Sequence, residues 1–530
     1  MNYHVPEQEQ LPFLPVGWGW VELDDVLLKV ANGISEKQNK ENLGIPVTRI
    51  ETISQGIINL DRVGYLSNVS EDVIEKYKLI TGDVLFSNIN SDLHLGKTAV
   101  FKQINITLLH GMNLLLLRPN PKCIIGELLN YICEFYRYSG KFLSIAQHAV
   151  NQSSINQTNL KKVRVPLPPL LEQNRIVLRI EELLSYLENG VASLERARAN
   201  LKRYRASVLK AAIEGKLTED WRAKNPPSEP ASQLLERILT ERRRRWEEKQ
   251  LVKFAEKGRT PPKNWKGKYK EPVKPDTTNL PSLPNGWCWV TVEQLASWED
   301  YSITDGPFGS NLKTSHYTSS GPRVIRLQNI GDGKFIDERA YISKEHYDVL
   351  YKHHVDAGDI VIALLGDNLP RACIIPDWVV PAIVKADCVR FSPNRSIINP
   401  KYLIFALNAS QTRKKASTMI QGVGRPRLNL QKVKSVVIPL PPVDEQDEIV
   451  SDAEQKLSII EGIESQLNNN LQHSYLLRQA ILKRAFEGKL VPQDPNDEPA
   501  SVLLERIKAE REANNVKKTR KPARKKAVKA

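Results

Sequence analysis

The stretch LPVGWGWV, residues 14–21, decides how this chain is organised, because it returns almost unchanged as LPNGWCWV at residues 283–290. Six of the eight positions are identical. Each copy combines a Pro-x-Gly turn with two tryptophans two residues apart, a spacing that places both rings on one face of a strand. We interpret each copy as the first strand of a structural module whose core the tryptophans close.

Three further blocks recur in the same order along the chain. VPLPPLLEQNRI (165–176) returns as IPLPPVDEQDEI (438–449), VLKAAIEGKL (208–217) as ILKRAFEGKL (481–490), and EPASQLLERI (229–238) as EPASVLLERI (498–507). The chain therefore contains two copies of one unit, which are too few and too long for a solenoid.

The segments between the first two blocks, 22–164 and 291–437, share little sequence. Traces of a common frame remain, since ITGDVLFSNIN (80–90) and DAGDIVIALLG (356–366) both read as a Gly-Asp turn followed by an apolar strand. This pattern indicates two modules that keep one scaffold and present different side chains on it.

The apolar residues after Glu172 and Glu445 follow coiled-coil spacing. We predict two helices of about 40 residues, each about 60 Å long, that end at Gly215 and Gly488 in left-handed caps. A helix with one apolar stripe is unstable alone, so we expect the two to pair antiparallel and to relate the modules by a pseudo-twofold axis. The predicted seam on the first helix is Ile176, Ile180, Leu183, Leu187, Gly190, Leu194, Ala197, Leu201, Tyr204, Val208 and Ala211. On the second helix it is Ile449, Ala453, Leu457, Ile460, Ile463, Leu467, Leu471, Leu477 and Ile481.

The composition indicates a multidomain globular protein. The 530 residues carry a net charge of +15, yet residues 242–270 and 517–530 hold most of this excess and the rest is nearly neutral. These basic segments are either solvated or attracted nonspecifically to phosphates. Five cysteines without a C-x-x-C pair argue against disulfides and zinc, and we see neither a membrane span nor a signal sequence, so we expect a cytoplasmic protein.

Catalytic motifs are matched only incompletely. SDLHLGKT (91–98) lacks the first glycine of a phosphate-binding loop, and NPPS (225–228) lacks the aromatic residue with which adenine methyltransferases stack on a flipped base. The adjacent pair His353 and His354 has no evident third ligand, and we expect it at the surface. We therefore predict a chain without catalysis; a self-contained DNA methyltransferase or nuclease and a bivalent coiled-coil scaffold remain alternatives.

Taken together, the four duplicated blocks and the INQTNLK-like segments before each PLPP junction resemble the specificity subunits of Type I restriction–modification systems, over residues 11–510. The resemblance implies a mixed α/β fold with two target recognition domains joined by two long antiparallel coiled-coil helices. The boundaries we expect are 1–165 and 281–438 for the recognition domains, 166–225 and 439–491 for the long helices, 226–280 for a basic Pro-rich linker with a short helix, and 492–530 for a short helix and a basic disordered tail.

The resemblance also implies a function. Each recognition domain would read one half of an asymmetric, bipartite site in double-stranded DNA. The paired helices would set the spacer and bind two modification subunits, which methylate adenine at N6. Restriction subunits, which are ATP-dependent translocases and nucleases, would join them. The chain itself would bind no cofactor, with S-adenosylmethionine, ATP and magnesium on the partner subunits.

Polar loops in the divergent segments are the candidates for reading base edges in the major groove, with Lys and Arg on phosphates. In the first module they are Ser87, Asn88, Asn90, His94, Lys97, His148, Asn151, Gln152, Asn156 and Gln157. In the second they are Ser310, Asn311, Lys313, Arg326, Gln328, Asn329, Arg371, Gln421, Arg425, Arg427 and Asn429. The two helices that begin at EPAS are expected to pack on protein, with the modification subunits as candidate partners, and the basic stretches beside them to stay mobile.

Overall fold

The computed structural model describes residues 13–39, 43–102, 105–150, 152–420 and 426–519, with side chains described up to residue 512. It divides into two compact units. The first unit comprises Met1–Glu195 and Asn468–Ala530, and the second unit comprises Arg196–Leu467. Each unit therefore takes its recognition module from one sequence copy and the end of a long helix from the other copy.

The first copy alternates short strands and helices before its long helix. Its strands are β1 Gly19–Glu22, β2 Leu27–Asn32, β3 Ile45–Val47, β4 Gly64–Leu66, β5 Val84–Phe86, β6 Ile89–Asn90, β7 Thr98–Val100, β8 Leu115–Pro119, β9 Gln147–Ala149, β10 Gln152–Ser154 and β11 Arg164–Leu167. Its helices are α1 Glu71–Tyr77, α2 Gly126–Tyr138, α3 Lys141–Ser144, α4 Gln157–Lys161, α5 Leu170–Ile213, α6 Glu219–Lys224 and α7 Ala231–Glu256.

The second copy has the same plan. Its strands are β12 Cys288–Thr291, β13 Ile303–Asp305, β14 Tyr317–Ile325, β15 Tyr341–Ile342, β16 His354–Val355, β17 Ile360–Ala363, β18 Arg371–Ile374, β19 Ala382–Val384, β20 Cys388–Phe391 and β21 Val437–Leu440. Its helices are α8 Lys344–Val349, α9 Pro400–Asn408, α10 Ser410–Ser417, α11 Leu430–Lys434, α12 Val443–Phe486 and α13 Ala500–Thr519.

Equivalent central sheets form the frame of the two units. The antiparallel order is β2-β8-β5-β7 in the first unit and β13-β20-β17-β18 in the second. The strands after the two Gly-Asp turns, β5 and β17, lie between two neighbouring strands and are buried along their whole length. A second sheet in the second unit, β15-β14-β19-β16, contains the parallel pair β14 and β19.

The two Gly-Asp turns have the same buried ion pair, between the aspartate of the turn and an arginine on a central strand. In the first unit Arg118 Nε on β8 donates to Asp83 at 2.8 Å. In the second unit Arg390 Nε on β20 donates to Asp359 at 2.6 Å. Each pair ties the turn to the neighbouring central strand, so the start of that strand is fixed in the same way in both units.

The repeated Glu-Gln pair joins each module to its long helix. Trp18 Nε1 donates to Glu172 at 2.9 Å, and Trp287 Nε1 donates to Glu445 at 2.7 Å. The following glutamine is also buried, and its side-chain amide bonds to backbone groups of the module. Gln173 accepts from Ile125 N and donates to the carbonyls of Cys123 and Pro168. In the same way Gln446 accepts from Asn399 N and donates to the carbonyls of Ile397 and Pro441. Of each tryptophan pair, Trp18 and Trp287 lie in the hydrophobic cores, whereas Trp20 and Trp289 are half-buried.

The ends of the long helices explain the remaining blocks. Gly215 and Gly488 both have φ of +67°, which confirms the left-handed caps. A Cβ at Gly488 would lie 2.0 Å from Pro15 Cγ, and one at Gly215 would lie 2.8 Å from Pro284 Cγ. Each LP-x-GW turn thus packs on the helix end of the opposite sequence copy, a contact that only glycine permits at this distance.

The helices α5 and α12 pair antiparallel inside each unit. In the first unit Arg478 lies 3.5 Å from Glu188, while Arg175, nearer the start of α5, pairs with Asp497 beyond the end of α12. In the second unit Arg205 lies 3.7 Å from Glu461.

Most residues of the expected seam face inward, but Gly190, Tyr204, Ile463 and Leu477 are exposed. The buried ones are Ile176, Ile180, Val208, Ile449, Ala453, Leu457, Ile460, Leu467 and Ile481. The half-buried ones are Leu183, Leu187, Leu194, Ala197, Leu201, Ala211 and Leu471. Leu477 is 52% exposed, so its assignment to the seam is wrong; Arg478 faces inward instead and is held by Glu134.

The helices that begin at EPAS pack within this chain. Ala231, Leu234 and Ile238 of α7 belong to the core of the second unit, and the equivalent Ala500, Leu503 and Ile507 of α13 belong to the core of the first. The backbone N–H of Ala231 donates to Gly286 O and that of Ala500 to Gly17 O, both at 2.8 Å. These faces are therefore occupied, and the modification subunits are not needed to cover them.

The basic segment after α7 is ordered, contrary to our expectation of mobility. Helix α7 has 26 residues and is not the short helix that we expected. Residues 257–280, which we call the strap, fold back along this helix. Trp265 of the strap stacks on Trp246 with ring centroids 6.1 Å apart. Residues 520–530 of the basic tail lie outside the described residues. Within the described ranges, no helix is long and apolar enough to cross a membrane.

Candidate nucleic-acid interface

A small sheet gathers the candidate loops of the first unit. Strand β10 lies between β6 and β9, and its Ser153 stands opposite Asn90 on one side and opposite His148 on the other. Residues that are far apart in the sequence therefore reach one surface.

Sequence reasoning missed two members of this surface, Asp92 and Ser153. Ser153 Oγ donates to Asp92 Oδ1 at 2.5 Å and lies 2.8 Å from His148 Nδ1. These are the residue types of a hydrolase triad, but the carboxylate accepts from the serine and lies 3.6 Å from His148 Nδ1, beyond the hydrogen-bond distance at which a triad carboxylate orients its histidine. Ser153 is also only 2% exposed, so its hydroxyl has no access to a substrate. The three residues form a polar support and not a nucleophile.

Other candidates in the first unit serve the fold. Ser87 is 1% exposed and accepts from Asn90 Nδ2, so listing it among base-reading residues is corrected. Asn88 donates to Ile155 O, and Asn156 caps α4 by accepting from Asn159 N. Gln152 is exposed on β10, and Gln157 is half-buried at the start of α4.

Positive charge accumulates beside this sheet. Burial and the nearby Arg137 lower the pKa of Lys97. Burial, followed by Lys97 and Arg137, lowers the pKa of His94. Sequence reasoning missed Arg137 because it lies on helix α2, outside the polar loops. Lys97 and Arg137 are like charges that favour an anionic partner such as a DNA phosphate, while Glu127, Glu134 and Glu181 line the same cavity.

The second unit presents arginines beside a cleft of about 420 Å³. Arg371 Nη2 donates to Leu327 O at 3.2 Å, which holds its guanidinium beside Gln328. With its amide oxygen turned toward Arg326, Gln328 accepts from Arg326 Nη1 at 3.0 Å. Asp332 and Asp367 also line this cleft. Three of the predicted residues, Arg326, Gln328 and Arg371, are thus brought together.

A second group lies on neighbouring loops of the same unit. Ser310, Asn311 and Lys313 are exposed on short 3₁₀ turns. Arg427 lies over the Phe308 ring at 5.9 Å and pairs with Asp387 at 2.8 Å. Asn429 caps α11 by accepting from Lys432 N, the same role that Asn156 has in the first unit.

Two predictions in the second unit are wrong because the side chains are internal. Asn329 is 1% exposed, and its amide donates to the carbonyls of Ile336 and Glu338, so it is unavailable to DNA. His353 is buried against Asp305 O and His354 is half-buried against Arg390, not at the surface. Among the residues described, no group of three His, Cys, Asp or Glu could hold a metal. Asn151, Gln421 and Arg425 lie outside the described residues.

A family model described as the Type I restriction modification DNA specificity domain matches residues 15–196 and 354–473, more than half of the chain. The chain belongs to this family. It is 40% identical over 218 residues to the putative type I restriction enzyme MjaX specificity subunit of Methanocaldococcus jannaschii, a match that covers 39% of this chain and 51% of that protein. It is 24% identical over 533 residues to the EcoKI specificity subunit of Escherichia coli K12, covering 95% and 98% of the two chains.

A solved structure supports the fold independently of sequence. A chain from a structure of the assembly and conformational transition of the type I R-M system superposes with a TM-score of 0.62 at 17% identity, covering 90% of this chain and all of that one. The mixed α/β fold class and the family membership predicted from the duplicated blocks are confirmed, and with them the DNA-specificity role at the level of the family.

Proposed function

We propose that this chain is the sequence-specific DNA-recognition subunit of a Type I restriction–modification complex, in which each unit reads one half of an asymmetric bipartite site. One observation carries the proposal. The two units share the order of the central sheet, the Asp-Arg pair and the Trp-Glu bond, yet expose different side chains on their loops.

The exposed chemistry differs in a way that predicts different half-sites. The first unit offers the imidazole of His148 and the amide of Gln152, with Lys97 and Arg137 beside them. The second unit offers the guanidinium groups of Arg326, Arg371 and Arg427. Arginine favours the O6 and N7 atoms of guanine, and an amide favours adenine. The half-site of the second unit should therefore be richer in guanine.

The long helices carry apolar side chains that the chain itself leaves uncovered. In the first unit Leu171, Leu178 and Tyr186 of α5 are each more than 60% exposed. In the second unit Ile459 of α12 is 59% exposed. Such residues support docking of two modification subunits on the helices, which would also set the spacer between the half-sites. S-adenosylmethionine for adenine N6 methylation would belong to those subunits, and ATP and magnesium to the restriction subunits.

The test is methylome sequencing of a host without other adenine methylation that expresses this chain with the methyltransferase of its system. We expect N6-methyladenine in both halves of one split motif. Arg371→Ala should relax discrimination in one half only, by about 1–3 kcal/mol at one base pair. The control is Arg237→Ala on α7, which removes an exposed ion pair with Glu229 and should leave base discrimination in both halves unchanged.

Two results would overturn the proposal. A stable complex with the methyltransferase that produces no sequence-dependent mark or DNA protection would favour the scaffold alternative. Methyl transfer from S-adenosylmethionine to DNA by the purified chain alone would favour the self-contained methyltransferase.

A further inference from the structure

The support beneath His148 determines which hydrogen-bonding form its ring presents. Ser153 Oγ has a single hydrogen and lies 2.5 Å from Asp92 Oδ1. An ionised carboxylate only accepts hydrogen bonds, so the serine hydrogen must point to Asp92. The serine oxygen is then left with its lone pairs toward His148.

That arrangement places a hydrogen on the near nitrogen of the imidazole. His148 Nδ1 lies 2.8 Å from Ser153 Oγ, and an oxygen whose hydrogen is committed elsewhere can only accept there. In the neutral ring, Nδ1 is therefore the donor and Nε2 the acceptor. Nε2 has no hydrogen-bond partner in the ranges that the structure describes, and the side chain is 56% exposed.

We infer that His148 is a specificity-determining residue of the first unit that accepts a hydrogen bond from an exocyclic amino group, and that Asp92 and Ser153 act as positioning residues by fixing its tautomer. In the major groove only adenine N6 and cytosine N4 supply such donors. The inference rests on the proposed function and adds the class of base read at one position: adenine or cytosine, not guanine or thymine.

Paired variants of Asp92 separate the effect of the hydrogen bond from that of the charge. Asp92→Asn keeps an oxygen that accepts from Ser153, so the tautomer and the base preference should be retained. Asp92→Ala frees the serine hydrogen, so Ser153 can either donate to His148 Nδ1 or accept from it, and Nε2 is no longer held as the acceptor. The preference at that position should then weaken, with guanine and thymine, whose O6 and O4 atoms accept, better tolerated than by the wild-type chain. Asp92 is exposed, so neither variant is expected to disturb folding.

The experiment measures binding of the full chain, with its modification subunits, to duplexes that carry its methylated motif. At each adenine or cytosine of the first half-site, the base is replaced by an analogue without the amino group: purine for adenine, or pyrimidin-2-one for cytosine. At one position the wild-type chain should lose about five- to tenfold in affinity, the worth of one hydrogen bond. Ser153→Ala should lose about half as much there, because its imidazole populates both tautomers and only one of them accepts at Nε2.

Failure of the inference is distinguishable from failure of the proposed function. The inference is overturned if Ser153→Ala matches the wild-type chain at every position, or if Asp92→Asn changes the base preference as Asp92→Ala does. The second half-site, read by the other unit, is the internal control and should be unchanged in every variant. If the wild-type chain discriminates bases in neither half, the proposed function itself fails. Should Ser153→Ala not fold, the two Asp92 variants decide alone.

Discussion

In the first unit the buried carboxylate of Glu172 accepts from Trp18 and from the neutral amide of Gln493. In the second unit the equivalent Glu445 accepts from Trp287, from Thr218 and from the guanidinium of Arg222. The Trp-Glu hydrogen bond is common to both units. The other hydrogen bonds to each carboxylate come from residues that follow the long helix of the opposite copy. The comparison shows that the frame preserves one contact and lets its surroundings diverge.

The Asp-Arg pairs differ in the same way. Asp359 and Arg390 are at most 3% exposed, and Arg390 also contacts Asp356 and His354. In the first unit Asp83 is fully buried too, but the Arg118 side chain is 21% exposed, so water solvates part of its guanidinium. Equivalent substitutions should therefore have unequal effects, which provides a way to test the comparison.

The largest difference is expected for these arginines. Arg390→Ala leaves Asp359 buried without its cation, which should destabilise the second unit by about 3–5 kcal/mol. Arg118→Ala should cost the first unit less, about 1–3 kcal/mol, because removing the partly exposed Arg118 side chain lets water reach the buried Asp83. Hydrogen exchange followed by mass spectrometry, read on β17 and β5, measures each unit separately. Equal losses of protection in the two units would contradict the comparison.

The next effect concerns the carboxylates. Glu445→Gln removes the counter-charge of Arg222, whose side chain is only 16% exposed, and should cost the second unit about 2–3 kcal/mol. Glu172→Gln removes no ion pair and should change the stability of the first unit by less than about 1 kcal/mol. Hydrogen-exchange protection of β12 measures the effect of Glu445→Gln, and protection of β1 measures that of Glu172→Gln.

The Glu172 variant should also show a pH dependence. Burial raises the pKa of Glu172, so ionisation costs the folded state. Its contribution to stability is present in acid and is lost as the pH rises through the folded-state pKa. Glu172→Gln should therefore gain stability relative to the wild-type chain with increasing pH. Denaturation midpoints between pH 4 and pH 8 test this, and a difference that falls with pH would show that the sign is wrong.

A smaller difference is expected at the two helix caps. Alanine is strained at φ of +67°, which costs about 1 kcal/mol at Gly215. The new Cβ would also meet a proline ring at both sites, but it would lie 2.0 Å from Pro15 Cγ at Gly488 against 2.8 Å from Pro284 Cγ at Gly215, so the cost at Gly488 should be the larger, about 2 kcal/mol. Exchange at the ends of α5 and α12 measures both, and a larger effect at Gly215 would contradict the contact distances.

The smallest effect tests the strap, which covers α7 in the second unit. Trp265→Ala removes the stack on Trp246 and should cost about 1 kcal/mol, confined to α7 and the strap. The first unit should keep its exchange pattern. Loss of protection in β17 would instead show that the strap supports the whole second unit.

Local rules account for what could be predicted before the structure was known. The glycine caps, the long helices and the strands after the Gly-Asp turns follow from backbone geometry and periodicity, which neighbouring residues determine. The reading surface was harder, because the exposed or buried state of a polar residue depends on distant strands. Ser87 and Asn329 are internal, whereas Asp92, Ser153 and Arg137 escaped notice because no local pattern distinguishes them.

The sequence by itself determined that the chain is duplicated and has two long helices, since repeats and periodicity are properties of the order of residues alone; the family and its α/β fold came from the resemblance of the repeated blocks. Only the tertiary structure decided that each LP-x-GW turn contacts the helix end of the other copy, and that Asp92, Ser153 and His148 meet. Such contacts depend on which segments pack together when the apolar faces are buried, and the residues that are close in sequence do not determine that packing.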